Sequence, residues 1–371
     1  MLNNKTIVLS GANITSGGPL TIYNDALIHF SSIPGCNVIA IVWKSELFFK
    51  AENITFIELL DYKKFIILKF YYEYLYYKIL SKRIKPDIWI SLNDFTPNVK
   101  VKKLFTYFHN ASIFFDIEPS DFKFSKRVIF QKIYYSLFLR FNIQKNRRFI
   151  VQQNWIGRKI NKKFNLPLKQ ILIFKPDQIV KDTKGSLIER EGVVKNNSRI
   201  VLFYPTRSYG YKNIEFICEI ARKLLADYSS LNLELRLTVY PNENAYTRFI
   251  KDKYSELSIS WLGPISKSEV EINYGDCSFF IFPSRLETWG LPLTEFAKYK
   301  KPIFAIDLEY VHETLDGYPY LYLFKPSDIS KLAELVKNII DGKDILFHRS
   351  QQNAYNNDIE HIKGWSDLLV I

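Results

Sequence analysis

CSFFIFPSRLETWGLPLTE, residues 277 to 295, decides how the rest of the chain is read. Its first six residues are an unbroken apolar run of strand length, the pattern of a strand buried on both faces in a parallel sheet. Pro283 to Glu287 then form a loop at the strand's carboxyl end. Trp289-Gly290-Leu291-Pro292 opens a helix, and Pro292 suits its first turn, where a missing N–H costs nothing. Strand, loop and helix in that order make the repeating unit of a doubly wound α/β sheet. Ligands of such sheets bind beyond the carboxyl ends of the strands. The two acids of this stretch, Glu287 and Glu295, therefore fall where a ligand would lie.

Read outward, the alternation recurs on both sides. Thr6 to Ser10, Val38 to Trp43, Asp87 to Ser91, Lys103 to Phe108 and Phe149 to Gln152 read as strands, with a helix-like run at Leu20 to Phe30. Residues 176–198 are polar, charged and poor in large apolar side chains, and read as an inter-domain linker. The alternation then restarts. Strands are expected at Ile200 to Tyr204, Leu233 to Tyr240, Leu257 to Leu262 and Pro302 to Ile306, and helices at Ile214 to Tyr228, Ser266 to Tyr274, Leu291 to Tyr299 and Ile329 to Ile340. Ser266 is the N-cap candidate. The expected organisation is two Rossmann-like domains in series, 1–175 and 199–352. A C-terminal helix, 353–371, is expected to cross back to the first domain and dock through Trp365.

The 371 residues are 47% hydrophobic, enough for two packed cores without disulfides. Three cysteines lie far apart with no CxxC pair, so neither a disulfide framework nor a structural zinc site is expected. The start does not read as a signal peptide, and the longest uncharged runs are broken by Gly, Pro, Ser and Asn, so no membrane span is expected. Net charge is +13, and most of the excess sits between Asp61 and Ile150, with 18 Lys and Arg against 7 Asp and Glu. The same stretch is crowded with aromatic rings at 63–85 and 123–148. Three readings fit it: an anionic lipid surface, amphipathic helices with buried rings and solvated lysines, and nucleic-acid binding.

Two loops carry the chemistry. After the strand IVLFY, the turn PTRSYGYKN places Arg207 and Lys212 at a strand's carboxyl end, and a fixed guanidinium and ammonium suit a diphosphate. After CSFFIF, Glu287 stands in the loop and Glu295 about one turn inside the helix. Carboxylates accept hydrogen bonds only, which matches the vicinal hydroxyls of a ribose or a hexose. Gly290 allows a ligand close to the backbone, and the first N–H groups of the helix favour an anion.

Arg207-x4-Lys212 with Glu287-x7-Glu295 resembles the retaining, nucleotide-sugar-dependent glycosyltransferases of family 4, the two-Rossmann-domain GT-B type. TSGGPL, YFHN and the Trp-Leu-Gly-Pro turn at 261 to 264 extend the resemblance over nearly the whole chain. PSRLETWGLPL, VQQNW, FHN and NENAY narrow it to bacterial O-antigen and lipopolysaccharide glycosyltransferases. The resemblance implies two doubly wound domains facing a central cleft. It implies that Arg207 and Lys212 hold the donor diphosphate and neutralise it as it leaves. Glu295 would take the ribose hydroxyls. Glu287, with Thr288 and the backbone of Trp289, Gly290 and Leu291, would take the transferred sugar and the phosphate. Gly17 and Gly18 would approach the donor phosphate or the acceptor, Gly263 to Ile265 would sit near the base, and His109 would face the sugar. The chain departs from the family pattern at Thr206, where Gly often stands, and at Thr288-Trp289, where Gly-Phe is common. The donor sugar is therefore not carried over.

The implied reaction is retaining hexosyl transfer from a nucleotide sugar to a lipid-linked saccharide acceptor, in O-antigen or surface polysaccharide synthesis. UDP-hexose, UDP-glucose foremost, is the leading donor, with GDP-mannose and GDP-fucose open. No DxD motif stands at a strand end, so no metal and no other cofactor is expected. The expected location is cytoplasmic, peripheral at the inner face of the bacterial plasma membrane, through 63–85 and 123–148. A nicotinamide dehydrogenase would need GxGxxG after the first strand, and LSGANITSGGPL lacks that spacing. A basic aromatic nucleic-acid- or membrane-binding protein leaves Glu287 and Glu295 unexplained. A catalytically inactive sugar-binding homologue stays open.

Overall fold

The computed structural model describes residues 5–175, 199–228, 231–277, 279–341, 343 and 358–371. The linker read at 176–198 lies outside them, as do 353–357 of the expected C-terminal helix. The chain forms two compact units. One takes Met1–Phe114, Gln131–Asp177 and Tyr355–Ile371, and the other Phe115–Phe130 and Gln178–Ala354. The alternation of strands and helices gives no sign of the short stretch 115–130 that leaves the first unit.

The first unit is built on β1 (Lys5–Ser10), β2 (Cys36–Val42), β3 (Ile54–Glu58), β4 (Ile88–Ser91), β5 (Lys103–Tyr107), β6 (Arg148–Val151) and β7 (Ile171–Ile173). All pair in parallel, in the order β7-β6-β5-β4-β1-β2-β3. The order reverses between β1 and β4, so the crevice of this sheet opens beyond the ends of those two strands. Val8, Leu9, Ile90 and Phe105 are wholly buried, as strands covered on both faces require. Helix Gly17–Ser31 packs Tyr23, Ala26, Leu27 and Phe30 against one face. Its approach is close: a Cβ at Gly11 would stand 2.2 Å from Tyr23 Cε2, so the turn after β1 admits only glycine there.

The end of the chain corrects one expectation. Residues 358–371 are not a helix throughout. Glu360–His361 is a short strand that pairs with β7, and only Asp367–Val370 is helical. The physical reason is the open edge of β7, whose unpaired backbone groups need partners: Ile362 N donates to Ile173 O at 3.0 Å. The docking expectation holds within this unit. Trp365 is 3% exposed, packs its ring on Phe174 at 4.8 Å and donates Nε1–H to Asp25 Oδ2 at 2.7 Å.

The second unit contains β8 (Ile200–Tyr204), β9 (Leu233–Leu237), β10 (Ile259–Trp261), β11 (Phe280–Phe282), β12 (Ile303–Ile306) and β13 (Leu321–Phe324). They form two parallel three-stranded sheets, β10-β9-β8 and β11-β12-β13, with β8 beside β11. Chain order reverses between β8 and β11. Helix Lys267–Asp276 has Ser266 as its N-cap in a capping box with Glu269, as the sequence indicates.

Candidate functional site

The loops after β8 and β11 meet at the reversal point of the second unit. Each is held by its own polar contacts. In the β8 loop, Thr206 N donates to Thr238 Oγ1 at 2.7 Å, Asn244 Nδ2 to Ser208 O at 2.7 Å, and Tyr204 Oη to Lys212 O at 2.9 Å. Tyr209 and Tyr211 stack at 5.3 Å. In the β11 loop, Tyr310 Oη donates to Ser284 O at 2.7 Å and Thr314 Oγ1 to Trp289 O. Gly290 has φ +80°, a left-handed residue that turns the chain into helix Leu291–Ala297.

The two loops are joined twice. Arg285 N donates to Tyr211 O at 2.8 Å. Lys212 Nζ reaches Glu287 Oε1 at 2.5 Å, with both side chains 17% exposed. The structure therefore brings together two of the residues selected from sequence, one from each loop. Arg207 is exposed in the same loop, and Thr288 and Leu291 are half-buried beside buried Trp289 and Gly290. Glu295 is half-buried and accepts from Tyr274 Oη at 3.3 Å; burial raises its pKa, partly offset by that hydrogen bond. Tyr274 was not singled out from the sequence, where it reads as a helix-end ring. Gly263 has φ +66° and lies under the exposed ring of Tyr240, which a Cβ there would approach to 2.5 Å. Ile265 is half-buried next to it.

In the first unit, Gly17 has φ +71° and starts the helix after β1, and Gly18 faces open space. His109 follows β5. Its ring stacks on Tyr107 at 4.6 Å, both ring nitrogens are covered and without a partner, and burial pushes its pKa down to about 3, so the ring is neutral. Its backbone N–H donates to Asp94 Oδ1 at 2.5 Å, and Asp94 Oδ2 accepts from Tyr135 Oη at 2.8 Å. A second buried carboxylate lies near: Glu73 Oε1 accepts from Tyr62 Oη at 2.7 Å and Asn93 Nδ2 at 2.8 Å. Burial raises Asp94 to about 6 and Glu73 to about 7. Neither acid was selected from the sequence, because the partners that enclose them come from distant segments.

The basic aromatic stretch divides. Ile66–Phe70, a π turn Tyr71–Tyr76 and Tyr77–Ile84 run in succession. Tyr77 and Tyr135 are core, as amphipathic helices would give. Ile67, Tyr71, Leu75 and Ile79 are exposed, one every four residues, and the wider π turn takes up the drift that spacing has on an α-helix. Ile133, Leu137 and Phe141 are exposed on the neighbouring segment, which packs Phe138 on Phe70 at 4.4 Å and Phe141 on Tyr74 at 6.0 Å. Among the described residues no helix is long and apolar enough to cross a membrane, and no group of three or more His, Cys, Asp or Glu side chains could hold a metal ion.

Residues 187–357 match the family described as Glycosyl transferases group 1. A search of the curated proteins found no match. Among solved structures, a glycosyltransferase from Rickettsia africae ESF-5 shares 18% identity with a TM-score of 0.60, over 94% of this chain and 92% of that one. A sucrose-phosphate synthase from Thermosynechococcus elongatus shares 14% identity with a TM-score of 0.62, over 91% and 90%. The lipopolysaccharide outer core galactosyltransferase WaaB shares 14% with a TM-score of 0.57, over 91% and 90%. At these identities the likeness carries the fold. The chain thus has the GT-B fold of two Rossmann-like domains, and over residues 187–357 it is similar to the glycosyl transferases group 1 family.

Proposed function

We propose that the protein is a retaining glycosyltransferase of family 4 that moves a hexose from a nucleoside-diphosphate sugar to a lipid-linked saccharide in surface polysaccharide synthesis. The observation that carries this reading is the Lys212–Glu287 pair at the β8/β11 reversal point, with Arg207 exposed in the same loop. A guanidinium and an ammonium beyond a strand end suit a diphosphate. Glu287 beside them suits the hydroxyls of the sugar that the diphosphate carries. In the reaction the bond from the anomeric carbon to the diphosphate breaks and that carbon joins the acceptor hydroxyl on the same face. The departing diphosphate takes the hydroxyl proton. Arg207 and Lys212 neutralise the charge that builds on it, a contribution of roughly 3 kcal/mol per donor. No metal enters this scheme. A UDP-hexose is the leading donor on resemblance, and Glu295 holds its ribose.

The exposed stripe of Ile67, Tyr71, Leu75 and Ile79, flanked by Lys64, Lys78, Lys82 and Arg83, is read as the contact with an anionic lipid surface, where a lipid-linked acceptor resides.

The test is thermal stabilisation by UDP, GDP and dTDP, with and without their sugars, on wild type and Glu295→Ala. A shift with one nucleotide that shrinks in the variant supports the donor site; no shift with any sinks it. Loss of transfer on adding EDTA would overturn the metal-free scheme. Failure to bind anionic vesicles at low salt would overturn the membrane placement.

A further inference from the structure

The stretch that leaves the first unit after Phe114 lies along the β8 loop. Asp121 is 2% exposed, and it faces Arg285 with both oxygens: Nη1 donates to Oδ1 at 3.1 Å and Nη2 to Oδ2 at 2.8 Å. The same guanidinium pairs with Glu118 at 3.2 Å, donates to Asp116 O at 3.0 Å and lies over the Phe115 ring at 5.0 Å. One arginine thus grips four residues of the stretch. Its own backbone N–H holds Tyr211 O, and it stands two residues before Glu287, the partner of Lys212. Farther along, Phe124 and Ser125 press on Gly210. A Cβ at Gly210 would stand 2.9 Å from Phe124 Cβ and 2.7 Å from Ser125 Oγ.

Phe124 also packs on Tyr246 and Phe249 at 5.4 and 4.9 Å, but between these contacts the strap is not close-packed. A cleft of about 200 Å³ is lined by Asp121, Phe124 and Ser125 on one side and by Asn213 and Glu215 on the other. The Ser125 hydroxyl is buried and without a partner. Where packing is loose, van der Waals fit does not fix the spacing. Beside the cleft the forked ion pair and the Gly210 contact set it, and a guanidinium–carboxylate fork fixes direction as well as distance.

We propose that 115–130 is a strap that sets the position of the Gly210–Lys212 turn, and that Asp121 is a positioning residue for the donor diphosphate, acting through Arg285. The proposal rests on the reading that Lys212 holds that diphosphate. Neutralising Asp121 leaves Arg285 without its buried counter-charge; the strap lifts from Gly210, and Lys212 loses its place while the rest of the nucleotide site stays as it was.

The experiment compares the binding of a nucleoside diphosphate with that of its monophosphate, using whichever of UDP, GDP and dTDP stabilises the wild type. Asp121→Asn should weaken the diphosphate about tenfold and the monophosphate less than twofold. Asp121→Glu, which keeps the charge, should recover most of the loss. Arg285→Lys keeps the charge but not the fork; it should repeat the loss, and it carries the comparison if Asp121→Asn fails to fold. Equal weakening of both ligands, or a lower melting temperature with unchanged binding, would show a merely structural strap and overturn the proposal. A wild type that binds none of the three diphosphates would overturn the donor reading and this proposal with it.

Discussion

Glu287→Gln is the substitution whose outcome the geometry constrains most. Lys212 is paired with Glu287 at 2.5 Å. A diphosphate must draw Lys212 away or share it. A hydrogen bond to a charged partner contributes roughly 1.5–3 kcal/mol net. Both side chains here keep 17% of their exposure, so the lower end of that range, about 1.5 kcal/mol, is appropriate. Glutamine still accepts from Lys212 but without the charge, at about half the strength. Free UDP carries no sugar, so it loses nothing that Glu287 offers a hexose. It should bind Glu287→Gln about threefold to fivefold more tightly than wild type. Transfer from the complete donor should fall about 100-fold, because the sugar loses its carboxylate. Isothermal titration at 50 and 300 mM salt reads the first effect, and the gain should shrink as salt screens the exposed side of the pair. Weaker UDP binding in the variant would mean that Glu287 helps to hold the nucleotide, and the competition argued here would be wrong.

Further outcomes follow from single sites. Glu73 is buried with its pKa raised to about 7 against an ordinary 4.5, so folding favours its protonated form. Stability should fall as pH rises from the ordinary value towards 7, by about 2–3 kcal/mol between pH 5 and 8 through Glu73, and Glu73→Gln should flatten the fall to the smaller share of Asp94; urea midpoints that stay the same at the two pH values would refute it. Trp365→Ala empties a buried seat on Phe174 and strands Asp25, and should cost about 3–5 kcal/mol in urea unfolding; a loss under 1 kcal/mol would show that the C-terminal segment is not part of the core. Gly290→Ala forces φ +80° on an alanine whose Cβ would meet Leu293 and Tyr310 at 3.2 and 3.3 Å, and should cost about 1–2 kcal/mol with a larger loss of transfer. Ile67→Ser with Leu75→Ser should release the protein from anionic vesicles without lowering its melting temperature, as both residues are exposed; unchanged sedimentation with vesicles would remove the stripe from the membrane contact.

The strands that the sequence displays are those covered on both faces, because burial on two sides leaves an unbroken apolar run. β8 and helix Ile329–Ile340 stand where the pattern places them, to the residue. β3, ITFIE, escapes notice because it closes one edge of the sheet and only Ile54 is buried. β7 is three residues long, too short for any period to register. At the candidate site, Lys212 and Glu287 were legible as types at strand ends, and their contact follows from the β8/β11 reversal. Asp121 was not legible: its partner Arg285 lies 164 positions away, and neither residue belongs to a periodic pattern. Glu73 was not legible either: it stands within the basic stretch, and its partners Tyr62 and Asn93 come from other segments.

The seat of Trp365 also bears on how the molecule is made. Translation delivers a chain from its amino end, and domains ordinarily close in that order. Here Phe30, Tyr107 and Phe174 wait for Trp365, which is made only after the second unit, and the outer edge of β7 waits for Glu360 and His361. The second unit needs nothing made after Ala354. The unit begun before the other is thus completed after it, and while the second unit is made its uncovered apolar face is the part of the nascent chain that a chaperone would shield.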